Sequence, residues 1–395
     1  MTSQRKFGLL GLSVQQLTEL VTGLGEPGYR ARQLAQALYC ERCGELSSIS
    51  TLSREFRERL AEEGYVAGMP EVERRFQSRD GTVRYLLGFA DGQTVETVWM
   101  PEGDGGEAGD GSAAGDEELA AEAGATAVRS RTPRRAKAAP LPATICVSSQ
   151  VGCAVNCRFC MTAQLGAIRD LSAGEIVGQV LAVLKDHSVD LASRRINLVF
   201  MGQGEPLLNY DSFMQAVRLL VDEVGIAESR MTVSTSGIVP RIADLGREPV
   251  RPKLAISLNG SNDIVRESVM PINRKWNLAA LMEAAQNFPL RPREKLTFEY
   301  VLLGGVDDSL ENARELVRLL APVRERSKVN LIALNPGPEI PYSMPEPESV
   351  TAFQQALIAA GVPAFVRRPR GRDIYAACGQ LRRTVELVKV APDGN

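Results

Sequence analysis

The sequence predicts an α/β protein whose larger part is a parallel sheet with helices packed outside it. Two observations predict this class: strand-like and helical stretches alternate between residues 143 and 335, and the strand-like runs end in polar or glycine-rich segments. Six βα units of this kind favour a parallel sheet. The six strand-like runs are Ala143–Val147, Ile196–Met201, Met231–Ser234, Lys253–Leu258, Leu296–Leu303 and Val329–Leu334.

Residues 1–62 are predicted to form a small helical domain. Ser13 and Ser53 each precede a helical pattern and are suited to cap it. Between them, the stretch Tyr29–Tyr39 carries apolar residues at helical spacing. Solvated helix faces explain the mixed charges of this region better than RNA contact does on charge alone.

Residues 63–101 are predicted to form a β extension. Three strand-like runs are separated by Asp80-Gly81 and Asp91-Gly92, dipeptides that favour hairpin turns. Glu96 lies in the third run, where a lone acidic residue usually faces solvent.

Residues 102–140 are predicted to be a flexible, low-complexity insertion, because glycine, alanine and acidic residues precede a short basic run and offer little to bury. Residues 141–362 contain the parallel sheet. Residues 363–395 form a tail with a strand at Ala364–Val366, an arginine-rich turn and a final helix that carries Cys378 near its start.

Composition limits the function classes. The 395 residues suggest two or three domains, and a net charge of −2 means that any nucleic-acid surface must be local. No run approaches the ~20 apolar residues of a membrane span, so we expect a soluble, cytoplasmic protein. Seven cysteines argue against a secreted disulfide framework. The single histidine, His187, is predicted to be exposed, and its isolation argues against histidine-ligated metal sites.

Three cysteines follow the first strand of the sheet, in Cys153-Ala-Val-Asn-Cys157-Arg-Phe-Cys160. Three thiolates cannot complete a tetrahedral zinc site or a four-cysteine iron–sulfur site. They can hold three irons of a [4Fe-4S] cluster and leave the fourth iron open to S-adenosylmethionine (SAM). A structural metal knuckle or three unrelated buried thiols is the alternative interpretation. The spacing, together with Phe159, closely resembles the radical SAM signature.

The radical SAM resemblance extends to Gly202-Gln-Gly-Glu205, which follows the second strand and is similar to the GGEP-type motif of these enzymes. Glycines there let the backbone approach a ligand closely. The resemblance implies a partial (β/α)6 radical SAM barrel with its site at the carboxyl ends of the strands. A tight turn is the alternative for a lone G-x-G.

Further motifs resemble the RlmN/Cfr family of rRNA methyltransferases, and the RlmN branch most closely. The resemblance covers nearly the whole chain except residues 102–140, and it makes the N-terminal helices an accessory RNA-binding domain. The stretches that carry it are Val95–Thr97, Cys146–Cys153, Phe200–Leu207, Ser234–Gly237, Met270–Asn273 and Gly371–Leu381.

The resemblance implies a role for each reactive side chain in the C2 methylation of an adenine. Cys378 takes a methyl group from one SAM, and the cluster on Cys153, Cys157 and Cys160 cleaves a second SAM to a radical that activates this methyl group. The carbon then adds to adenine C2, Glu96 removes the C2 proton, and Cys146 attacks the Cys378 sulfur to release the RNA. Without the resemblance, Cys146 and Cys378 would be read as buried small apolar residues.

The resemblance also implies cofactors and partners. The cofactors are a [4Fe-4S] cluster and SAM; the partners are 23S rRNA, tRNA and an electron donor such as flavodoxin or ferredoxin, with the protein a monomer and no membrane involved. Asn259 stands where the family usually has histidine. The implied SAM contacts are Gly204, Glu205, Ser234, Ser257, Leu258, Asn259 and Asn335.

Several alternatives remain open at this stage. Cfr-like methylation of adenine C8 uses the same residues, and an RNA-binding iron–sulfur redox sensor would need the cluster but not Cys378. The cluster of Arg367, Arg368, Arg370 and Arg372 before Cys378 is either a charged turn or a patch that holds RNA phosphates. Cys40 and Cys43 are predicted to be incidental thiols.

Overall fold

The computed structural model describes residues 6–104, 107–108 and 142–382. The N-terminal domain contains three helices, and the side chains of Ser13 and Ser53 cap the first and third as predicted. Two short strands, β1 (Phe7–Gly8) and β2 (Tyr65–Val66), pair in parallel beside them. The helices are α1 (Val14–Gly23), α2 (Tyr29–Ala35) and α3 (Arg54–Glu62).

The predicted β extension is an antiparallel ribbon of β3 (Glu71–Gln77), β4 (Val83–Gly88) and β5 (Thr94–Asp104). Gly81 and Gly92, the glycines of the two predicted turns, have φ values of +84° and +78°. These values are in the left-handed region that a tight hairpin turn requires and that glycine adopts readily.

The ribbon is continuous with the barrel sheet, because β5 pairs antiparallel with the first barrel strand. The barrel strands pair with one another in parallel, which confirms the predicted parallel sheet. A separate hairpin follows β7 and consists of β8 (Gln150–Gly152) and β9 (Ala167–Asp170). The barrel strands are β7 (Ala143–Cys146), β10 (Ile196–Phe200), β11 (Met231–Thr235), β12 (Lys253–Ser257), β13 (Leu296–Leu302), β14 (Ser327–Ala333) and β15 (Ala364–Arg367).

Two features differ from the predicted domain plan. The tail strand β15 joins the barrel as a seventh parallel strand. Order also reaches into the predicted insertion, since β5 continues to Asp104 and β6 (Glu107–Ala108) pairs with β15. Residues 105–106 and 109–141 lie outside the described part of the chain.

Helices cover the outer face of the barrel. Along β13, for example, Phe298 and Tyr300 point into the core beneath them, whereas Glu299 and Val301 line the internal cavity. No helix in the described ranges is long and apolar enough to cross a membrane. The outer helices are α4 (Ala173–Asp186), α5 (Tyr210–Asp222), α6 (Val239–Arg247), α7 (Asp263–Val269), α8 (Leu278–Asn287), α9 (Leu310–Leu320) and α10 (Pro347–Ala359).

Two local predictions are wrong. Cys378 lies in a turn and not near the start of a helix, and residues 383–395 lie outside the described part. His187 is half-buried and not solvated, because its ring stacks on Trp99 with centroids 4.1 Å apart and one ring nitrogen is 2.8 Å from the Tyr85 hydroxyl.

Candidate active site

The cysteine triplet forms a loop at the carboxyl end of the barrel. The sharp turn at Gly152 (φ +78°) admits no side chain, since a Cβ there would lie 1.8 Å from the Gly166 carbonyl oxygen. The N–H of Cys160 donates to the Cys157 carbonyl at 3.1 Å and closes the loop. Cys153, Cys157 and Cys160 all line one cavity in the barrel mouth.

Cys378 lines the same cavity. The sequence separates it from the triplet by more than 200 residues, and the tail brings it back over the barrel mouth. Cys378 is exposed at the cavity mouth. Desolvation within the cavity raises the pKa of its thiol to about 11; the Glu299 carboxylate adds to this rise and Arg367 opposes it.

Four hydrogen bonds hold the tail in this position. The N–H of Met161, directly after the triplet, donates to the Gly379 carbonyl at 2.7 Å. The Thr162 hydroxyl donates to the Leu381 carbonyl at 2.7 Å, and Gln380 donates to the Pro336 carbonyl at 2.8 Å. The side chain of Asn335 donates to the Cys378 carbonyl at 3.5 Å.

Gly204 and Glu205 form the second wall of the cavity. Gly204 has φ +96°, and a Cβ there would lie 2.7 Å from the backbone nitrogen of Gln150. The Glu205 carboxylate is buried and accepts from the backbone and hydroxyl of Ser236, each at 2.7 Å. Burial raises the pKa of Glu205, and these hydrogen bonds oppose the rise. A buried carboxylate so oriented can bind a ligand ammonium.

Three more of the expected SAM residues line the cavity: Ser234, Ser257 and Asn259. The two serine hydroxyls lie 3.1 Å apart. The Asn259 amide makes two hydrogen bonds within the protein: its oxygen accepts from the Val301 N–H at 2.8 Å and its nitrogen donates to the Met270 sulfur at 3.3 Å.

Leu258 is the one expected SAM residue outside the cavity lining. Its side chain is fully buried, its N–H donates to the Glu299 carbonyl, and its own carbonyl accepts from Arg266. Asn335 lines the cavity as expected, next to Cys378.

Cys146 lies at the carboxyl end of β7, behind the cavity. It is buried and packs with Val98 and with Leu381 of the tail, three residues beyond Cys378. Burial raises the pKa of the Cys146 thiol, and the charge of Cys378 adds to the rise, which places the two sulfurs within electrostatic reach.

Glu96 is fully buried. The expectation that a lone acidic residue on this strand faces solvent is therefore wrong. Its carboxylate forms an ion pair with Arg84 of β4, whose side chain is also fully buried. Burial lowers the pKa of Arg84, and the charge of Glu96 opposes the shift. Glu96 does not line the cavity; Val98, two residues along the same face of β5, packs under the tail.

Sequence reasoning missed two charged residues of the site. Glu299 is nearly buried, lines the cavity and accepts from Asn330 at 3.0 Å. Arg84 is the partner of Glu96. The available signal was a single charged residue within an apolar strand, at Leu296–Leu302 and Val83–Gly88.

The donor set fits an iron–sulfur cluster. Burial and mutual repulsion raise the pKa of Cys153 to about 12 and that of Cys157 well above its usual range, so thiolates here need bound cations. Among the described residues, no three His, Cys, Asp or Glu side chains are grouped to hold one metal ion. The three cysteines of such a cluster would each bind a different iron, so their sulfurs need not meet at one metal ion.

Two family models match the chain. The radical SAM superfamily matches residues 147–317, and the ribosomal RNA large subunit methyltransferase N-terminal domain matches residues 7–66. The second match corresponds to the helical domain. Members of the radical SAM superfamily use a [4Fe-4S] cluster and SAM, which agrees with the donor set and the cavity.

Relatives match over nearly the full length. A protein of Koribacter versatilis, named "Probable dual-specificity RNA methyltransferase RlmN", is 62% identical over 93% of this chain and 99% of that protein. The dual-specificity RNA methyltransferase RlmN of Solidesulfovibrio magneticus is 42% identical over 95% and 96% of the two chains. The crystal structure of a radical SAM methyltransferase from Sphaerobacter thermophilus has a TM-score of 0.81 and 38% identity, covering 96% and 100%. The chain therefore belongs to the RlmN family of radical SAM methyltransferases.

Proposed function

We propose that the protein methylates C2 of an adenine in 23S rRNA and in tRNA, with Cys378 as a covalent methyl carrier. The observation that carries this proposal is the presence of Cys378 in the cavity that holds the cysteine triplet. An iron–sulfur redox sensor has no need of a fourth thiol there. The names of the relatives support RNA as substrate, and "dual-specificity" supports two RNA classes.

Cys378 is the nucleophile of the first step. Its sulfur attacks the methyl carbon of SAM, the bond from that carbon to the SAM sulfur breaks, and S-adenosylhomocysteine leaves; the thiolate is the reactive form. Glu205 binds the SAM ammonium, and Ser234 and Ser257 contact the rest of the ligand across the cavity. Val301 and Met270 orient the Asn259 amide, whose second N–H remains for SAM, and Leu258 lies behind the cavity wall.

When bound, the [4Fe-4S] cluster supplies the electron that cleaves a second SAM and so activates the methyl group on Cys378. Cys153, Cys157 and Cys160 hold the cluster, with electrons from a donor such as flavodoxin or ferredoxin. The methyl group on Cys378 gives up one hydrogen atom to the deoxyadenosyl fragment of that SAM, and its carbon then bonds to adenine C2. As C2 loses its proton, the adduct gives up one electron, which the oxidised cluster would take back, and a thioether between Cys378 and the RNA remains.

Glu96 and Cys146 complete the reaction. Glu96 accepts the proton that C2 loses. Cys146 then attacks the Cys378 sulfur; a disulfide forms, the bond from sulfur to the RNA carbon breaks, and this carbon takes up a proton and remains as the methyl group. A cytoplasmic reductant reopens the disulfide. Because Glu96 is fully buried, the tail segment over Val98 must shift before an adenine can reach it.

RNA binding uses the helical domain and the arginines that precede Cys378. The family match of residues 7–66 supports the first, and the position of Arg367 near the Cys378 thiol supports the second. Splayed bases of RNA loops suit an enzyme that must reach the edge of an adenine. The protein acts as a monomer.

The test is anaerobic reconstitution with iron, sulfide, SAM, a reductant and unmodified 23S rRNA, followed by mass spectrometry of the digested RNA. The expected product is 2-methyladenosine, and a parallel reaction with unmodified tRNA tests the second substrate. Formation of 8-methyladenosine would replace the C2 assignment with the Cfr-like reaction. The absence of any RNA methylation by a cluster-loaded protein would reject the enzyme proposal.

A further inference from the structure

Four side chains lie in one row across the ribbon and the first barrel strand. The register of the sheet pairs Phe76 of β3 with Arg84 of β4, Arg84 with Val98 of β5, and Val98 with Cys146 of β7. Directly paired residues of antiparallel strands share a face of the sheet. The row therefore ends at the proposed resolving cysteine, on the face that the tail covers.

Arg84 is the charged member of this row. Its guanidinium carbon lies 4.2 Å from the centroid of the Phe76 ring, and its side chain has no exposed surface. From this position it reaches diagonally to Glu96, two residues before Val98, and forms the buried ion pair. The aromatic ring on one side and the carboxylate on the other limit the guanidinium to one orientation.

A carboxylate buried without a cation is costly, and such groups take up a proton instead. A protonated carboxyl cannot accept the proton of an adenine carbon. We propose that Arg84 is a positioning residue that keeps Glu96 charged and aimed for proton abstraction. This inference rests on the proposed role of Glu96 and adds a residue to it.

The inference predicts a step-specific defect. Methyl transfer from SAM to Cys378 does not use Glu96, so Arg84→Met should leave it within about threefold of wild type. The kcat for RNA methylation should fall about 100-fold, the size of a typical general-base contribution, with little change in KM for RNA. Arg84→Lys keeps a cation near the carboxylate and should recover much of the loss.

Arg251 provides a matched control. It forms a nearly buried ion pair with Glu294 and lies 4.6 Å from the centroid of the Phe288 ring, outside the cavity lining. Glu294 also pairs with Arg291, so Arg251→Met removes a buried arginine and its ring contact while the carboxylate keeps one cation. Arg251→Met should lower the melting temperature as Arg84→Met does, but it should not slow RNA methylation more than it slows Cys378 methylation. If both variants slow Cys378 methylation and RNA methylation equally, the role of Arg84 is structural and the inference is overturned.

A double-mutant cycle with Glu96→Gln completes the test. If Arg84 acts through Glu96, Arg84→Met should cost no further activity in the Glu96→Gln background. A full additional loss would overturn the inference. Wild-type activity of Glu96→Gln alone would instead remove Glu96 from the proposed function, and a Cys378 that never gains a methyl group would reject that function at its first step; either result removes the inference with it.

Discussion

The N–H of Met161 donates a 2.7 Å hydrogen bond to the carbonyl of Gly379. This bond joins the residue after the last cysteine of the triplet to the residue after Cys378, so the two reactive parts of the chain hold one another in place. The Thr162 and Leu381 contact lies directly beside it. The position of Cys378 thus depends on the same loop that carries the cysteine triplet.

Replacing Cys378 by alanine should abolish methyl transfer to RNA, because the three thiols that remain in the cavity are the proposed cluster ligands and cannot carry the methyl group. Cluster content and RNA affinity should remain near wild type. The measurements are methylated adenine per RNA by mass spectrometry, iron and sulfide content, and RNA binding. The matched control is Cys40→Ala, at an exposed cysteine of the N-terminal domain. Methylated RNA from Cys378→Ala would contradict the covalent route.

Replacing Cys146 by alanine should trap the RNA on the protein, since the sulfur that cleaves the thioether is lost while Cys378 still carries the methyl group. The adduct should appear as RNA that co-purifies with the protein and survives denaturing electrophoresis. Cys43→Ala, which removes a partly buried thiol of the N-terminal domain, should yield no adduct. If Cys146→Ala methylates Cys378 but neither traps nor releases RNA, another group resolves the thioether.

The methylation of Cys378 should accelerate with pH. Its pKa of about 11 leaves the thiol protonated at neutral pH, and the thiolate is the nucleophile. The thiolate fraction, and therefore the rate at saturating SAM, should rise about tenfold per pH unit between pH 7 and 9. Intact-mass measurement of the reconstituted protein without electron donor follows this step alone. A rate that levels off below pH 9 would show that bound SAM or another group lowers this pKa.

The sequence predicts the barrel well, because local patterns define it, and it predicts the position of the cysteine triplet at the carboxyl end of the first barrel strand. The spacing of the triplet needs only a loop, and the βα alternation determines the parallel sheet. The burial of Glu96 could not be predicted, since strand alternation does not reveal that Arg84 of the neighbouring strand is buried beside it as its ion-pair partner. The hydrogen bond from the Val301 N–H to the Asn259 amide oxygen could not be predicted either, because it depends on the position of the neighbouring strand.

A comparison of two glycine substitutions distinguishes the effect of backbone strain on stability from the effect of a displaced loop on SAM binding. Gly204→Ala and Gly225→Ala both place a side chain at positive φ, +96° and +84°, at a cost of roughly 1–2 kcal/mol each. At Gly225 a Cβ meets nothing within 4 Å, whereas at Gly204 it would lie 2.7 Å from the Gln150 backbone nitrogen.

The Gly204 collision must displace the loop that carries Glu205, so Gly204→Ala should weaken SAM binding about tenfold or more, equivalent to about 1.4 kcal/mol. Gly225→Ala should lower the melting temperature but leave SAM affinity unchanged. Calorimetric titration of SAM into the cluster-loaded variants and thermal unfolding measure the two effects separately. Equal SAM affinity for both variants would mean that the loop of Gly204 and Glu205 does not contact the ligand.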